Sequence, residues 1–274
     1  MNPITFEEAK RHICSYGTAV HCEMFRNYRR WYSGDDPASA SFHYDRGCVI
    51  IESENDYEGR HYIDYRVHQC APDAEVDAVT EEWRVKCLET AAKYENPVKW
   101  LIEFYVSNGE LTEEKNQYYG WRNYVRQGHA VEKDPRVRVL GESDMDMVRA
   151  ACEPHLTTDT VWGQKLAKDF HTLDYAWLTD YNAPFGFYGI FDGDTLCGMA
   201  TATYDEDLNL AWLLDIYVLP EHRGKGYGKA LVHTALADYP DKKWHYQAAR
   251  DNDLSIALAK SLGFTLEGAG LFIL

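Results

Sequence analysis

A mixed α/β fold in two domains is what this sequence predicts, and three observations lead there. Apolar, β-branched runs of strand length alternate with stretches of helical periodicity along the whole chain. One run, Leu208 to Leu219, passes through a glycine-rich turn straight into a helix, reading Asp-Ile-Tyr-Val-Leu-Pro-Glu-His-Arg-Gly-Lys-Gly-Tyr-Gly-Lys from Asp215 to Lys229. The length of 274 residues, 45% hydrophobic, suits two ordinary domains, and the charged stretch Val131 to Arg136, with Pro135, reads as their linker. The expected domains are therefore 1–134 and 135–274.

In the first half, Thr5-x-x-Glu8 is a capping box, and apolar residues at helical spacing follow it to Tyr32. Ser33-Gly34-Asp35-Asp36-Pro37 closes that region as a turn. Ser41 to Ser53 and His61 to Cys70 read as strands, separated by the polar turn Glu54 to Arg60. Asp77 to Tyr94 returns to a helical pattern with Val79, Trp83, Val85, Leu88 and Ala91 or Ala92 as its inner face, and Asn96-Pro97 stops it. Lys99 to Val106 is a further strand, and Thr112 to Gln127 a polar-aromatic helix with Thr112 as N-cap.

The second half opens with a short strand, Arg136 to Leu140, and Ser143-Asp144 as N-cap of a helix through Cys152; Thr160 to Leu173 is another helix. Gly186 to Phe191 and Thr195 to Tyr204 form a hairpin about Asp192-Gly193-Asp194, and Asp205-Glu206-Asp207 turns the chain into the central strand. Pro220 ends that strand because proline lacks the N–H that a ladder requires. Helix Gly228 to Tyr239, strand Lys243 to Ala249 and helix Leu254 to Leu262 follow. The first half repeats this order faintly: Ile63 to Val67 parallels Leu214 to Val218, Val98 to Trp100 parallels Lys242 to Trp244, and Gly128 stands as Gly263 does. A degenerate tandem repeat and an unrelated α/β domain are both compatible with that.

The turn is the most informative stretch. Glycines 224, 226 and 228 leave no Cβ between backbone and ligand, so successive N–H groups can converge on an anion at the helix start, and the helix dipole adds to them. Lysines 225 and 229 with Arg223 suit a pyrophosphate better than a carboxylate. A solvated turn capping a helix is the plain alternative. No Ser or Thr follows a Gly-Lys as a P-loop requires, and no G-x-G-x-x-G is present near the turn.

Arg-x-x-Gly-x-Gly, here Arg223, Gly226 and Gly228 after Tyr-Val-Leu-Pro-Glu, resembles the acyl-CoA pyrophosphate loop of the GNAT superfamily of N-acetyltransferases. The element order from Arg136 to the C-terminus, about half the chain, agrees. The resemblance implies an acyltransferase with acetyl-CoA as donor. The backbone of Ile216, Tyr217 and Val218 would bind the pantetheine and polarise the acetyl carbonyl. Backbone N–H groups of Gly224, Lys225, Gly226, Tyr227, Gly228 and Lys229 would take the pyrophosphate, with Arg223 bracing the loop. Asn252-x-x-Ser255, Leu258 and Leu262-Gly263-Phe264 resemble a second family motif in which the asparagine contacts the cofactor arm; by residue type Asn252 could equally be a helix N-cap. Relatives often use a tyrosine on the last helix to protonate the departing thiolate, and Ala259 stands at that place here. Ser255 lies one turn back on the same face, Lys260 and Ser261 face other directions, and a water or an unassisted thiolate is the alternative. For the base, Asp215 leads over Tyr204, Asp205 and Glu221, and Trp162, Trp177 and Tyr181 lie where relatives shape the acceptor pocket. His68 to Val79 carries no such loop motif, so the first half is not expected to hold CoA in this way.

The bulk numbers narrow the partners. A formal net charge of −16 argues against phosphate-backbone binding and favours an amine-bearing acceptor, small molecule or peptide. Seven cysteines without a CxxC pair fit a reducing, cytoplasmic setting, and no signal or membrane span is visible. The eleven histidines show no metal-ligand spacing, so no metal is expected. Three readings are compatible with all this: an N-acetyltransferase, a non-catalytic CoA-binding or regulatory module, and a related enzyme with another acyl donor. Acceptor and oligomeric state stay open at the level of sequence.

Overall fold

The computed structural model describes residues 2–16, 40–57, 59–106, 120–156, 185–205 and 209–274. The chain folds as two compact units, one comprising Met1–Tyr124, Ala248–Asp253 and Leu266–Leu274, the other Val125–Gln247 and Leu254–Thr265.

In the first unit, strands β1 (Asn2–Ile4), β2 (Ala40–Asp45), β3 (Cys48–Tyr57), β4 (Arg60–Gln69) and β5 (Val98–Val106) lie in that order, and β12 (Thr265–Phe272) follows β5. Pairing is antiparallel except for β4 and β5, which run parallel. Helix α1 (Phe6–Tyr16) begins with the Thr5 capping box: the Thr5 N–H donates to Glu8 Oε2 at 2.8 Å and the Glu8 N–H to Thr5 Oγ1 at 3.2 Å. Helix α2 (Val76–Ala91) makes the crossover from β4 to β5 and seats Val76, Val79, Trp83, Cys87 and Ala91 on Ile50, Ile63, Tyr65, Val67 and Leu101. Burying a side chain as large as Trp83 removes enough apolar surface to be worth about 3 kcal/mol.

Several expectations are corrected. Val85 and Leu88 are exposed at 44% and 36%, because the buried stripe follows 76, 79, 83 and 87. Ser41 to Ser53 is not one strand: Arg46 and Gly47, both at positive φ, turn it into the β2–β3 hairpin, and β3 runs on to Tyr57. Gly120–Gln127, expected as the end of a helix, is strand β6, where Trp121, Tyr124 and Val125 favour extended backbone. The rest of that expected helix, with Thr112, falls outside the described residues, as do the expected turn at 33–37 and the helix at 160–173.

The second unit orders β7 (Val137–Val139), β8 (Phe185–Asp192), β9 (Thr195–Asp205), β10 (Leu210–Val218) and β11 (Lys243–Ala249) side by side. β8 and β9 form the expected hairpin, with Gly193 at φ 61° in a two-residue turn closed by the Asp192↔Thr195 pair. Ser143 and Asp144 sit in a 3-10 turn ahead of helix α3 (Met145–Leu156), not at its cap; the Asp144 carboxylate accepts from the Gly141 N–H at 2.8 Å. Met145, Val148 and Cys152 of α3 pack on Phe187, Phe191, Leu196, Met199, Tyr217 and Leu219. Helix α4 (Tyr227–Asp238) makes the crossover from β10 to β11, and α5 (Asp253–Ser261) leads to β12. Strand β6 begins in the first unit, and its last residues, Val125 to Gln127, belong to the second.

Candidate functional site

The site is built where β10 parts from β11. β10 and β11 are paired in parallel from Leu210↔Lys243 to Leu213↔Tyr246, and there the ladder ends although β10 continues to Val218. A bulge between Leu213 and Asp215 causes the departure, since the extra residue Leu214 bends the strand and turns its side chain outward at 46% exposure. On its other edge β10 stays paired with β9 through Val218↔Gly198. Among the described residues, the edge of Ile216, Tyr217 and Val218 that would continue the parallel ladder carries no strand. Tyr217 anchors the segment by its ring, which is 8% exposed in the α3 core.

Pro220 then stops the strand in a 3-10 turn, Pro220–His222, and Arg223 folds back so that its Nε donates to the Val218 carbonyl at 3.0 Å. Gly224 and Gly226 stand at φ 76° and 79°, where a side chain would be strained, and a Cβ at either would meet nothing within 4 Å. No described atom therefore stands against the turn at these two positions. Gly226 caps α4, whose first intrahelical bond is from the Ala230 N–H to the Gly226 carbonyl at 3.1 Å. Among the described residues no side chain caps the helix, and its first turn holds no acid. Such N–H groups at a helix start, beside exposed Lys225 and Lys229, fit a diphosphate. Tyr227 turns its ring inward, and Gly228 lets α5 approach, since a Cβ there would sit 3.3 Å from Leu258 Cδ2.

Asp215 is half-buried beside β9: the Thr201 hydroxyl donates to its Oδ2 at 3.1 Å, and its own N–H donates to Thr201 Oγ1 at 3.1 Å. On α5, Ser255 shares a 2.8 Å hydrogen bond with the Tyr246 hydroxyl, and burial pushes that phenol up to about 12 against the effect of the Ser255 bond. Tyr246, which the sequence reading missed, belongs to the last pair before β10 diverges. Its parity on β11 gives no hint of this, because the partner hydroxyl lies nine positions away. Ala259, one turn beyond Ser255, is fully buried, so a tyrosine there would overpack the helix face at a cost of about 1–3 kcal/mol. Asn252 sits in the turn before α5, its N–H on the Ala249 carbonyl at 3.1 Å, and is counted with the first unit. Glu221 is 3.9 Å from the His155 ring and Tyr204 donates to Asn209 Oδ1 at 3.3 Å. The Asp205 side chain, Trp162, Trp177 and Tyr181 lie outside what is described. Among the described residues no group of three His, Cys, Asp or Glu could hold a metal ion, and no helix is long and apolar enough to cross a membrane.

Residues 150–264 match the model of the acetyltransferase (GNAT) family. No curated protein matches the chain. Three solved structures share its fold. A GCN5-related N-acetyltransferase from Sphaerobacter thermophilus is 11% identical over 99% of this chain and 93% of that one, with a TM-score of 0.54. A tandem GNAT protein from the clavulanic acid biosynthesis pathway is 12% identical over 99% of this chain and 97% of that one, with a TM-score of 0.52. An acetyltransferase of the GNAT family from Colwellia psychrerythraea is 14% identical over 89% of each chain, with a TM-score of 0.50. The mixed α/β fold is thus that of GNAT proteins, and the tandem one is matched along nearly the whole chain.

Proposed function

We propose that the protein, whose residues 150–264 match the GNAT family model, transfers an acetyl group from acetyl-CoA to the primary amine of a small molecule or peptide. The observation that carries the reading is the end of the parallel ladder at Leu213↔Tyr246, just ahead of a glycine-lined helix start that no described side chain caps. The N–H groups from Gly224 to Lys229 hold the diphosphate, with Lys225 and Lys229 adding charge and Arg223 fixing the turn through the Val218 carbonyl. The backbone of Ile216 to Val218 takes the pantetheine arm as an added strand would be taken, and orients the acetyl carbonyl towards a donor N–H. Asp215 accepts the proton of the attacking amine, oriented by the Thr201 hydroxyl. The Ser255–Tyr246 hydroxyl pair returns a proton to the departing thiolate, in place of a phenol at Ala259.

Division at Val131 to Arg136 gives a catalytic part, 135–274, and a first part, 1–134, that holds no CoA. The test is a calorimetric titration with acetyl-CoA followed by an acceptor screen read by mass spectrometry. Binding at micromolar concentration and acetylation of at least one amine are expected. Absence of binding at about millimolar acetyl-CoA sinks the reading, and binding without turnover on any amine makes the protein a CoA-responsive module instead.

A further inference from the structure

Three carboxylates of the first unit stand on one face of β3, because Glu52, Glu54 and Asp56 recur at the two-residue period of a strand. Opposite them on β4 are Tyr65, Ile63 and His61, in the register Glu52↔Tyr65, Glu54↔Ile63 and Asp56↔His61. Glu52 is met by the Lys86 ammonium of α2 at 2.7 Å, the His43 ring of β2 at 3.2 Å and the Tyr65 hydroxyl at 3.2 Å. Glu54 and Asp56 meet His61 instead. Its Nδ1 is 2.8 Å from Asp56 Oδ1 and its Nε2 is 3.4 Å from Glu54 Oε2, with the side chain 13% exposed. The ring lies flat on that of Tyr94, the centroids 3.5 Å apart and the planes 15° off parallel. The Tyr94 hydroxyl donates to the same Glu54 oxygen at 3.4 Å, and the Tyr65 hydroxyl lies 3.4 Å from the other. Tyr94 belongs to the turn that leads from α2 to β5, its N–H on the Ala91 carbonyl at 3.1 Å. From β5, Lys99 adds a charge felt at Cys87 of α2.

An ionised carboxylate only accepts, and a neutral imidazole has a single N–H to give. Both contacts of His61 are therefore hydrogen bonds only when the ring carries two protons. The imidazolium also faces the π-surface of Tyr94, an attraction that the neutral ring lacks. On losing its proton the ring gives up one of the two carboxylates, which then repel each other unscreened by the charge between them. His43 differs, since its one contact with Glu52 needs one N–H and is made in either form.

We infer that His61 is a proton-operated latch: as the imidazolium it fastens the turn after α2 to the β3–β4 hairpin, and as the neutral ring it releases that turn. The latch stands independently of the acetyl-transfer reading. Because the protonated form makes it, its stabilisation is present on the acid side and is lost as pH rises through the range in which histidine titrates, roughly pH 5 to 8. Glu52 acts in the opposite direction, at lower pH, in the carboxylate range.

The experiment is nitrogen-15 NMR of the imidazole rings on the full chain between about pH 5.5 and 8.5, with hydrogen exchange of the amides from Ala91 to Val98 over the same range. Wild type, His61→Gln and Asp56→Asn are compared, the glutamine keeping a donor that does not titrate. At the acid end both His61 nitrogens should be protonated, and protection of the turn, corrected for the intrinsic rate, should be about 3–10-fold greater than at the alkaline end. In His61→Gln that ratio should vanish, and Asp56→Asn should lower it. A His61 ring with one bare nitrogen at the acid end overturns the latch. So does protection that is constant with pH in the wild type, that changes equally in His61→Gln, or that Asp56→Asn leaves untouched.

Discussion

The two units repeat one order of elements and differ at one place. In the first, β2, β3 and β4 are antiparallel neighbours and α2 crosses to a parallel β5; in the second, β8, β9 and β10 are antiparallel neighbours and α4 crosses to a parallel β11. The β4–β5 ladder, however, runs closed from Tyr62↔Val98 to His68↔Phe104. The turn from β4 to α2, Cys70-Ala71-Pro72-Asp73-Ala74-Glu75, holds no glycine. It is covered by the β2–β3 turn: the Glu75 N–H donates to the Arg46 carbonyl at 3.0 Å, and a Cβ on Gly47 would stand 2.8 Å from Ala74. The same topology therefore gives an occupied helix start in one unit and an open one in the other. What distinguishes them is a bulge and three glycines, so a ligand site here belongs to a turn and not to the fold.

The sharpest way to break that comparison is Gly226→Asp. It places a carboxylate at φ 79° in front of the helix start, and acetyl-CoA binding should be lost in calorimetry, with at most about 1–2 kcal/mol lost in stability. Retained affinity would move the cradle elsewhere.

The paired aspartates give the next test. Asp64 is 2% exposed and held by the Arg66 guanidinium at 2.7 Å, whereas Asp215 accepts from the Thr201 hydroxyl. Asp64→Asn should cost about 3–5 kcal/mol in denaturant unfolding, the usual result of breaking a buried ion pair. Asp215→Asn should instead lower turnover about 10²–10⁴-fold with the melting temperature kept. A rate change under about threefold assigns Asp215 a structural role.

Trp83→Ala, which empties the space between α2 and its sheet, should cost about 3–5 kcal/mol and appear as lost hydrogen-exchange protection in β3 to β5. If β8 to β10 lose protection to the same degree, the two units do not open independently.

The smallest effect is set by pH. Burial works to raise Glu52, but its hydrogen bond and attraction to Lys86, with further bonds from Tyr65 and His43, outweigh it and hold the carboxyl below its ordinary value. A depressed folded value means stability present above the unfolded value and lost as pH falls through the folded one. Acid should therefore weaken the first unit as Glu52 gains its proton, and Lys86→Gln should flatten that dependence in a pH series of melts.

Much of the site was legible in the sequence because its signals are local. The Thr5–Glu8 box, the Gly193 turn and the passage from β10 through Gly224 and Gly226 into α4 each need only a few neighbouring residues to be read. The bulge at Leu214 was not readable, since it is defined by what β9 pairs with. β6 was misread because its alternation is interrupted by Arg122, Asn123 and Arg126, whose polarity imitates a helix surface. The Tyr246–Ser255 bond and the hydrogen bond from Arg126 to the Leu262 carbonyl join residues 9 and 136 positions apart. No local propensity reports on such meetings.

One placement governs how this protein comes into being. The last strand, β12, pairs with β5 through Gly268↔Val106 to Phe272↔Ile102, and Leu266–Leu274 belong to the first unit. A ribosome completes that unit only once residues 265–272 have emerged, long after β1 to β5. Until then β5 offers an unpaired strand edge, the kind that recruits other chains. Joining partners this distant in sequence is also slow. Cutting the chain after Gly263 would therefore strip a strand from the N-terminal part, so a nascent-chain binder is expected to act on the first half during synthesis of the second.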